Sequence, residues 1–406
     1  MVRSGCWQSR HQIKALLLGC VISTLPYTAR AQSGDDNCQP LIDTSVILSV
    51  VTEQFYDRRF NGLNWSGEVA ETVESVSCDD SPAQVSARVN TLLSRLGASH
   101  TAAFSTQDLE YWAFNAQFYF DSIDGYPLPF AGIWAQPDGE QWFVSAVLDG
   151  SVAANAGVQV GDQLLQLNNQ AFTPTGFMAG ENTLQLSSDG TTTRELQLLV
   201  TEQGMMRAFT EASAASARIF ELGAGDQKKT VGYYRIWAGR DQIQRDFQTQ
   251  LETFYESEAD ALIVDLRGGL GAVSADYLAP VRYQLTRKKI PVHFLIDDSV
   301  FAGKEVLASV VRRDALGKLV GSVTAGEHRP ARTSRILGDR YFLTVATGSF
   351  PAPETGVIEA VGVAPDIEVE SCRQYCEGSD PVLQASLQAL ASELASGPDQ
   401  SVSAQQ

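Results

Sequence analysis

From Thr230 to Val345 the chain alternates apolar runs with helical patterns, and this alternation restricts the fold more than any other feature. Val231–Ile236, Ala261–Asp265, Val292–Ile296, Lys318–Val320 and Tyr341–Val345 read as strands. Helices are expected from Asp241 to about Tyr255, from Ser274, and from Glu305. Such an order predicts a largely parallel sheet covered by helices. Upstream the pattern differs twice. Between Leu41 and Leu96 apolar residues recur at three and four (Ile47, Val50, Val51, Phe55; Val85, Val89, Leu92, Leu93, Leu96), which predicts a small helical domain ended by Gly97. From Phe130 to Glu202 short strands are punctuated by Asp149-Gly150, Asn168-Asn169 and Asp189-Gly190 turns, so this stretch is mostly β.

The 406 residues are 44% hydrophobic, enough for a sizeable core. Residues 1–31 hold four basic residues and no acid, so their removal takes the net charge from −18 to −22. A surface that acidic excludes nucleic acid and anionic membranes as partners. Those 31 residues have a basic start up to Lys14, the apolar run Ala15–Ile22, and Ala29-Arg30-Ala31 before Gln32, which reads as a secretory signal. The protein is therefore expected to be periplasmic or extracellular. Leu17-Leu-Gly-Cys20 also reads as a lipoprotein box, with anchoring at Cys20 as the lesser alternative. No later run reaches membrane-spanning length.

Export leaves Cys38, Cys78, Cys372 and Cys376. Three connectivities are possible, and proximity in sequence favours Cys38–Cys78 with Cys372–Cys376. A zinc site at Cys372-x3-Cys376 is the competing reading; no second Cys or His pair lies nearby. No metal-ligand cluster is evident, and no cofactor is expected.

Four stretches carry chemistry. Val144–Gly157 followed by Val160–Asn168 gives strand, short Ser/Ala-rich helix, Gly turn, Gly-Asp and apolar strand, which resembles the core of a PDZ domain. The resemblance implies capture of a peptide C-terminus by strand addition, with the carboxylate held in Leu128–Ile133, at Phe130, Ala131 and Gly132. Leu96-Gly-Ala-Ser-His-Thr101 places Ser99 and His100 directly after a helix stop. Taken alone, that histidine reads as a structural hydrogen-bonding residue. Asp265-Leu-Arg267 ends a buried strand in a glycine-rich turn, able to aim backbone amides at an oxyanion or simply to connect strand to helix. Asp297–Glu305 is a tight turn from strand into helix, the place where many α/β enzymes mount a nucleophile.

Together with a closing Glu359-Ala-Val-Gly-Val-Ala-Pro-Asp-Ile367, these pieces resemble, in order, the tail-specific or C-terminal-processing serine peptidases over about Leu41–Val369. The resemblance implies a ClpP/crotonase-like α/β catalytic domain, residues 205–376, with a helical cap at 38–104 and an inserted PDZ-like domain at 127–204. Residues 395–406 read as a disordered tail. In the serine-lysine form of the family, Glu305 fixes the nucleophile position at Ala302, and Glu327 stands where the lysine is expected. In the form similar to the tricorn core protease, Ser99, His100 and Glu359 match three members of a tetrad, and the nucleophile again falls on Ala302. Oxyanion amides are expected at Gly271, Ala272 and Gly303. Ser299, three residues early, is the substitute hydroxyl.

An alanine cannot attack a carbonyl, so the resemblance implies a peptidase scaffold impaired at its nucleophile. The alternative is a peptide- or apolar-ligand-binding protein on the same fold. Asp265 and Arg267 read as a structural pair, His293 as a core histidine and His328 as a solvated loop residue, with lining of the cleft as its lesser alternative.

Overall fold

A computed structural model describes residues 38–119, 125–223, 228–348 and 358–396. The expected signal segment with Cys20, and the tail beyond Ser396, lie outside the described residues.

Helices α1 (Gln39–Gln54), α2 (Trp65–Glu74) and α3 (Pro82–Ser94) make the helical segment. Ser81 opens α3 with a capping box, accepting from the Gln84 amide while the Gln84 side chain takes the Ser81 amide. Strand β1 (Ala102–Ser105) and helix α4 (Leu109–Phe118) follow. The mostly-β stretch contains β2 (Pro127–Pro129), β3 (Ile133–Asp138), β4 (Gln141–Val147), the short helix α5 (Val152–Asn155), β5 (Gln163–Leu167), β6 (Gln170–Ala171), β7 (Gly180–Ser187), β8 (Thr193–Val200) and β9 (Glu202–Gly204). Its sheet runs β3-β4-β5-β7-β8, with β6 on β5. Ile133, Val144, Leu164, Leu184, Leu186 and Leu198 fill its own core.

The remainder is α6 (Met205–Ala215), β10 (Arg218–Leu222), β11 (Lys229–Arg235), α7 (Asp241–Glu256), β12 (Ala261–Asp265), α8 (Ala279–Arg287), β13 (Val292–Ile296), α9 (Gly303–Arg313), β14 (Lys318–Gly321), β15 (Ala331–Ile336), β16 (Tyr341–Ala346), β17 (Ile367–Glu368) and α10 (Pro381–Ser396). A six-stranded sheet has the order β10-β11-β12-β13-β14-β17, parallel except for the antiparallel edge strand β10. Every residue of β12 and β13 is buried, as parallel strands covered on both faces require. Leu262, Val264, Phe294 and Leu319 face α7, α8 and α9. Val231, Ala261, Ile263 and Leu295 face the other way, toward Val382 and Leu390 of α10.

Two expectations are corrected. Tyr341–Val345 is not part of the parallel series: β16 is the central strand of a separate antiparallel sheet, β1-β16-β15. Leu337, Gly338 and Asp339 all have positive φ (56°, 65°, 64°), so β15 folds straight back onto β16 in a hairpin that cannot make a parallel pair. Tyr341, Leu343 and Val345 on this sheet pack under Ile47, Val51, Val89 and Leu93 of the helical segment. Ala395 and Ser396, expected to begin the tail, are instead the last residues of helix α10.

Candidate active site

The turn between β13 and α9 brings the chain to Ala302 with φ 52° and ψ −124°, a conformation that L-residues rarely adopt. Its amide donates to Glu327 O at 2.9 Å, and its carbonyl accepts from Glu305 N at 3.0 Å. The glycine-rich turn after β12 packs against it. A side chain on Gly303 would come within 2.1 Å of Val273 O, and one on Gly271 within 2.4 Å of Phe301 O, so glycine is required at both contacts. The interlocked turns put Gly271, Ala272, Ala302 and Gly303 on one wall of a cavity of about 490 Å³. Among the described residues, the amides of Gly271, Ala272 and Gly303 have no protein acceptor.

Glu305 holds the opposite loop. Fully buried, its carboxylate accepts from Thr324 Oγ1 (2.5 Å), Gly326 N (2.6 Å) and Glu327 N (2.8 Å). That loop continues to His328 and Arg329, where it meets the end of the helical segment. His100, at φ 55°, lines the same cavity as Ala302, and its carbonyl is fixed by Thr344 Oγ1 at 2.9 Å. His100 Nδ1 stands 2.6 Å from Arg329 O. A carbonyl only accepts, so Nδ1 carries the proton and the lone pair of the neutral ring is at Nε2.

Behind the histidine, Ser99 Oγ donates to Glu359 Oε2 at 2.8 Å and accepts from Arg329 N at 3.2 Å. Glu359 also accepts from Ser99 N (3.1 Å), His328 N (2.7 Å) and Arg329 Nε (3.0 Å). Partial burial raises its pKa, but these hydrogen bonds outweigh burial and hold the carboxyl below its ordinary range. Ser99, His100 and Glu359 therefore meet although 260 positions separate Ser99 from Glu359. Arg329, which joins them through amide, carbonyl and guanidinium, was not foreseen, because backbone contacts leave no trace in residue type. His328 lines the cavity, the lesser of its two sequence readings.

Ser299 lies elsewhere. It lines a second cavity, of about 470 Å³, between the mostly-β stretch and the carboxyl ends of β11 and β12. Its hydroxyl donates to Asp297 and accepts from Gly268 N at 2.7 Å. The structure does not bring it into the cavity of His100. Arg267 is bidentate to Asp265 (3.0 and 2.7 Å) and to Asp380 (2.9 and 2.8 Å). Burial pushes the Asp265 pKa up, but Arg267 and Arg235 dominate and hold it well below the usual carboxylate range. His293 is fully buried, within reach of Ser386 Oγ (3.0 Å) and Glu393 (3.3 Å), and burial lowers its pKa.

In the expected carboxylate loop, Phe130 and Ala131 are buried. Gly132 O accepts from Leu148 N, and Ala131 O from Ala153 N. The loop leads into β3, an edge strand. Cys372–Cys376 is a disulfide, which sets aside the zinc reading, and Cys38 and Cys78 are disulfide-bonded too. Among the described residues no His/Cys/Asp/Glu group is arranged to hold a metal ion, and no helix is long and apolar enough to cross a membrane.

Residues 275–369 match the model of peptidase family S41, and residues 143–177 that of the PDZ domain. The Arabidopsis thaliana protein named carboxyl-terminal-processing peptidase 3, chloroplastic, is 20% identical over 354 residues, covering 79% of this chain and 67% of that protein. A carboxyl-terminal-processing protease of Synechocystis sp. is 24% identical over 291 residues, covering 63% of this chain and 66% of that protein. The chain thus spans about two thirds of the length of these relatives. In fold it is similar to the solved photosystem II D1 C-terminal processing protease, with a TM-score of 0.50 and 18% identity over 89% of this chain and 99% of that one. The chain thus resembles the C-terminal-processing peptidases, with a segment that matches peptidase family S41 over residues 275–369 and a PDZ domain match over residues 143–177.

Proposed function

We propose that this protein is an exported family member that holds peptide or protein C-terminal segments at a peptidase-type site without forming an acyl-enzyme. One observation carries the reading: the strained position at the start of α9, in the cavity of His100, is Ala302. With a serine there, the arrangement fits a tricorn-like tetrad. The hydroxyl attacks the peptide carbonyl, His100 Nε2 takes its proton, Ser99 and Glu359 brace the histidine's surroundings, and the amides of Gly271, Ala272 and Gly303 hold the oxyanion. With a methyl group there the attack is lost while the rest of the site stays in place.

The PDZ match and the edge position of β3 support recognition of a peptide C-terminus by strand addition next to Phe130–Gly132. Phe114, Phe118, Phe301 and Phe342 line the cavity and suit an apolar segment, which also favours the reading as a purely binding protein. The pattern of residues 1–31 and the Cys372–Cys376 disulfide support export.

The test is labelling by a fluorophosphonate serine probe of the mature protein and of its Ser299→Ala and Ala302→Ser variants. No labelling of the parent and labelling gained in Ala302→Ser are expected. Labelling of the parent that vanishes in Ser299→Ala would instead establish a relocated nucleophile and a working peptidase.

A further inference from the structure

We propose that the cavity of His100 and Ala302 hydrolyses activated esters of apolar carboxylic acids by direct attack of water, with His100 as general base and no covalent intermediate. The inference rests on the reading above, that this is a peptidase-type site whose nucleophile is absent.

Three observations carry it. The first is the state of the histidine. Its Nδ1 is committed to Arg329 O at 2.6 Å, and Nε2, the basic nitrogen, has no hydrogen-bond partner among the described residues. His100 and Ala302 line one cavity, so a water or a substrate that enters it can pass a proton to Nε2. The second is the unused donors: Gly271, Ala272 and Gly303 line the cavity and their amides have no acceptor among the described residues, so they are free to hold an oxyanion. The third is room. A water occupies roughly 30 Å³ in the liquid, so a cavity of about 490 Å³ holds an acyl group and the attacking water together.

The step balances without an outside reagent. The water oxygen forms a bond to the ester carbonyl carbon as its proton passes to His100 Nε2, and the carbonyl oxygen becomes an oxyanion held by the amides. Collapse breaks the carbon–oxygen bond to the leaving group. The departing alkoxide or aryloxide takes the proton back from His100, leaving a carboxylic acid and an alcohol or phenol. Substrate class follows from the leaving group and the walls. An amide nitrogen must be protonated to leave, and water is a weaker nucleophile than an activated serine. An oxyanion hole with binding retains only about 10³–10⁴-fold acceleration once the nucleophile is gone, enough to be visible for an aryl ester. Phe114, Phe118 and Phe342 select an apolar acyl group over a charged one.

The experiment follows p-nitrophenyl phenylacetate and p-nitrophenyl succinate by stopped flow, with the mature protein and its His100→Asn, His100→Ala and Ala302→Ser variants, each checked for folding by thermal unfolding. Asparagine keeps a donor for Arg329 O but removes the base. The parent is expected to hydrolyse the phenylacetyl ester linearly from time zero, faster than the succinyl ester, and both His100 variants to lose about a hundredfold or more. Ala302→Ser is expected to give a burst of p-nitrophenol approaching one equivalent. A folded His100→Asn protein as fast as the parent, or a burst from the parent, overturns the inference. If Ala302→Ser bursts and binds the fluorophosphonate while the parent shows no His100-dependent rate, only this inference fails. If Ala302→Ser does neither, the peptidase-type reading of the site fails with it.

Discussion

Glu359 receives both the hydroxyl and the amide of Ser99, at 2.8 and 3.1 Å, and so pins the end of the helical segment to the segment between β16 and β17. His100 is the next residue, so this contact sets where its ring stands. Glu359→Gln keeps the shape but turns an amide group toward the donors of Ser99, His328 and Arg329. In an Ala302→Ser background it is expected to slow fluorophosphonate labelling about tenfold or more, because small displacements of a catalytic group are costly. Stability should fall by about 1–3 kcal/mol. Labelling kinetics and thermal unfolding check this, and a lower melting temperature with an unchanged labelling rate would reduce Glu359 to a structural residue.

Ala302 carries strain that its side chain does not use. At φ 52° and ψ −124° a Cβ is unfavourable by about 1–3 kcal/mol, while an added glycine costs about 0.4–1 kcal/mol through the unfolded chain. Ala302→Gly is therefore expected to stabilise the protein by about 1 kcal/mol, opposite to the usual effect of that change. Urea denaturation of the two proteins decides it; destabilisation by the glycine would mean that the turn relaxes without it.

How much was legible follows from what each residue does. The buried runs Ala261–Asp265 and Val292–Ile296 announced central parallel strands, since nothing else needs five successive buried positions in so short a run. Glu305 marked position 302 only through the resemblance to the serine-lysine peptidases; its burial and its clamp on the facing loop are visible only in the structure. The hairpin of β15 and β16 was hidden by a strand pattern that is the same in parallel and antiparallel sheets. Helix α10 drew no reading from the sequence, because small residues interrupt its apolar pattern: Ser386 is buried between Val382 and Leu390. Lys304 was hidden because a lysine at the start of an amphipathic helix is read as solvated, whereas here it is fully buried.

Arg267 supports the carboxyl end of the sheet by joining Asp265 of β12 to Asp380 at the start of α10. Arg267→Met would leave the buried Asp265 carboxylate without its main partner. Breaking a buried pair in this way costs about 3–5 kcal/mol, and a loss of that size is expected in urea denaturation at neutral pH. Because the folded pKa of Asp265 lies below its unfolded value, the parent's advantage is present above about pH 4 and fades on acidification below it. A loss that stays constant down to pH 2 would contradict the assignment.

The Cys372–Cys376 loop ties the PDZ domain to the turn between β13 and α9. On one side Tyr375 N donates to Gly161 O at 2.8 Å, and its ring packs edge-on against Phe143 at 5.4 Å. On the other, Ser371 Oγ donates to Asp297 at 3.1 Å, and Arg373 pairs with Asp298. Replacing both cysteines by serine is expected to cost about 2 kcal/mol, the entropy of so short a ring. Hydrogen exchange should rise together around Gly161 and Asp297–Val300. Faster exchange at the loop alone would mean that it decorates the two parts without coupling them.

Lys304 gives a pH dependence of opposite sign to that of Asp265. Its ammonium is fully buried and donates to Gly268 O at 2.6 Å. Burial pushes its pKa down to about 7; Arg235 adds to this, and Asp265 and Asp297 oppose it. In the unfolded chain a lysine titrates near 10.4. Below about pH 7 both states hold the proton and the folded protein bears the whole cost of a buried charge. Between about pH 7 and 10 only the unfolded chain still holds it, so stability rises with pH across that window. Lys304→Met removes the titrating group, and the stability of the parent relative to this variant is expected to climb steadily from pH 6.5 to 9.5 in urea denaturation. A flat difference would mean that Lys304 keeps its proton in the folded state, held by Asp265 and Asp297, and that the turn carrying Gly271 rests on a permanent positive charge.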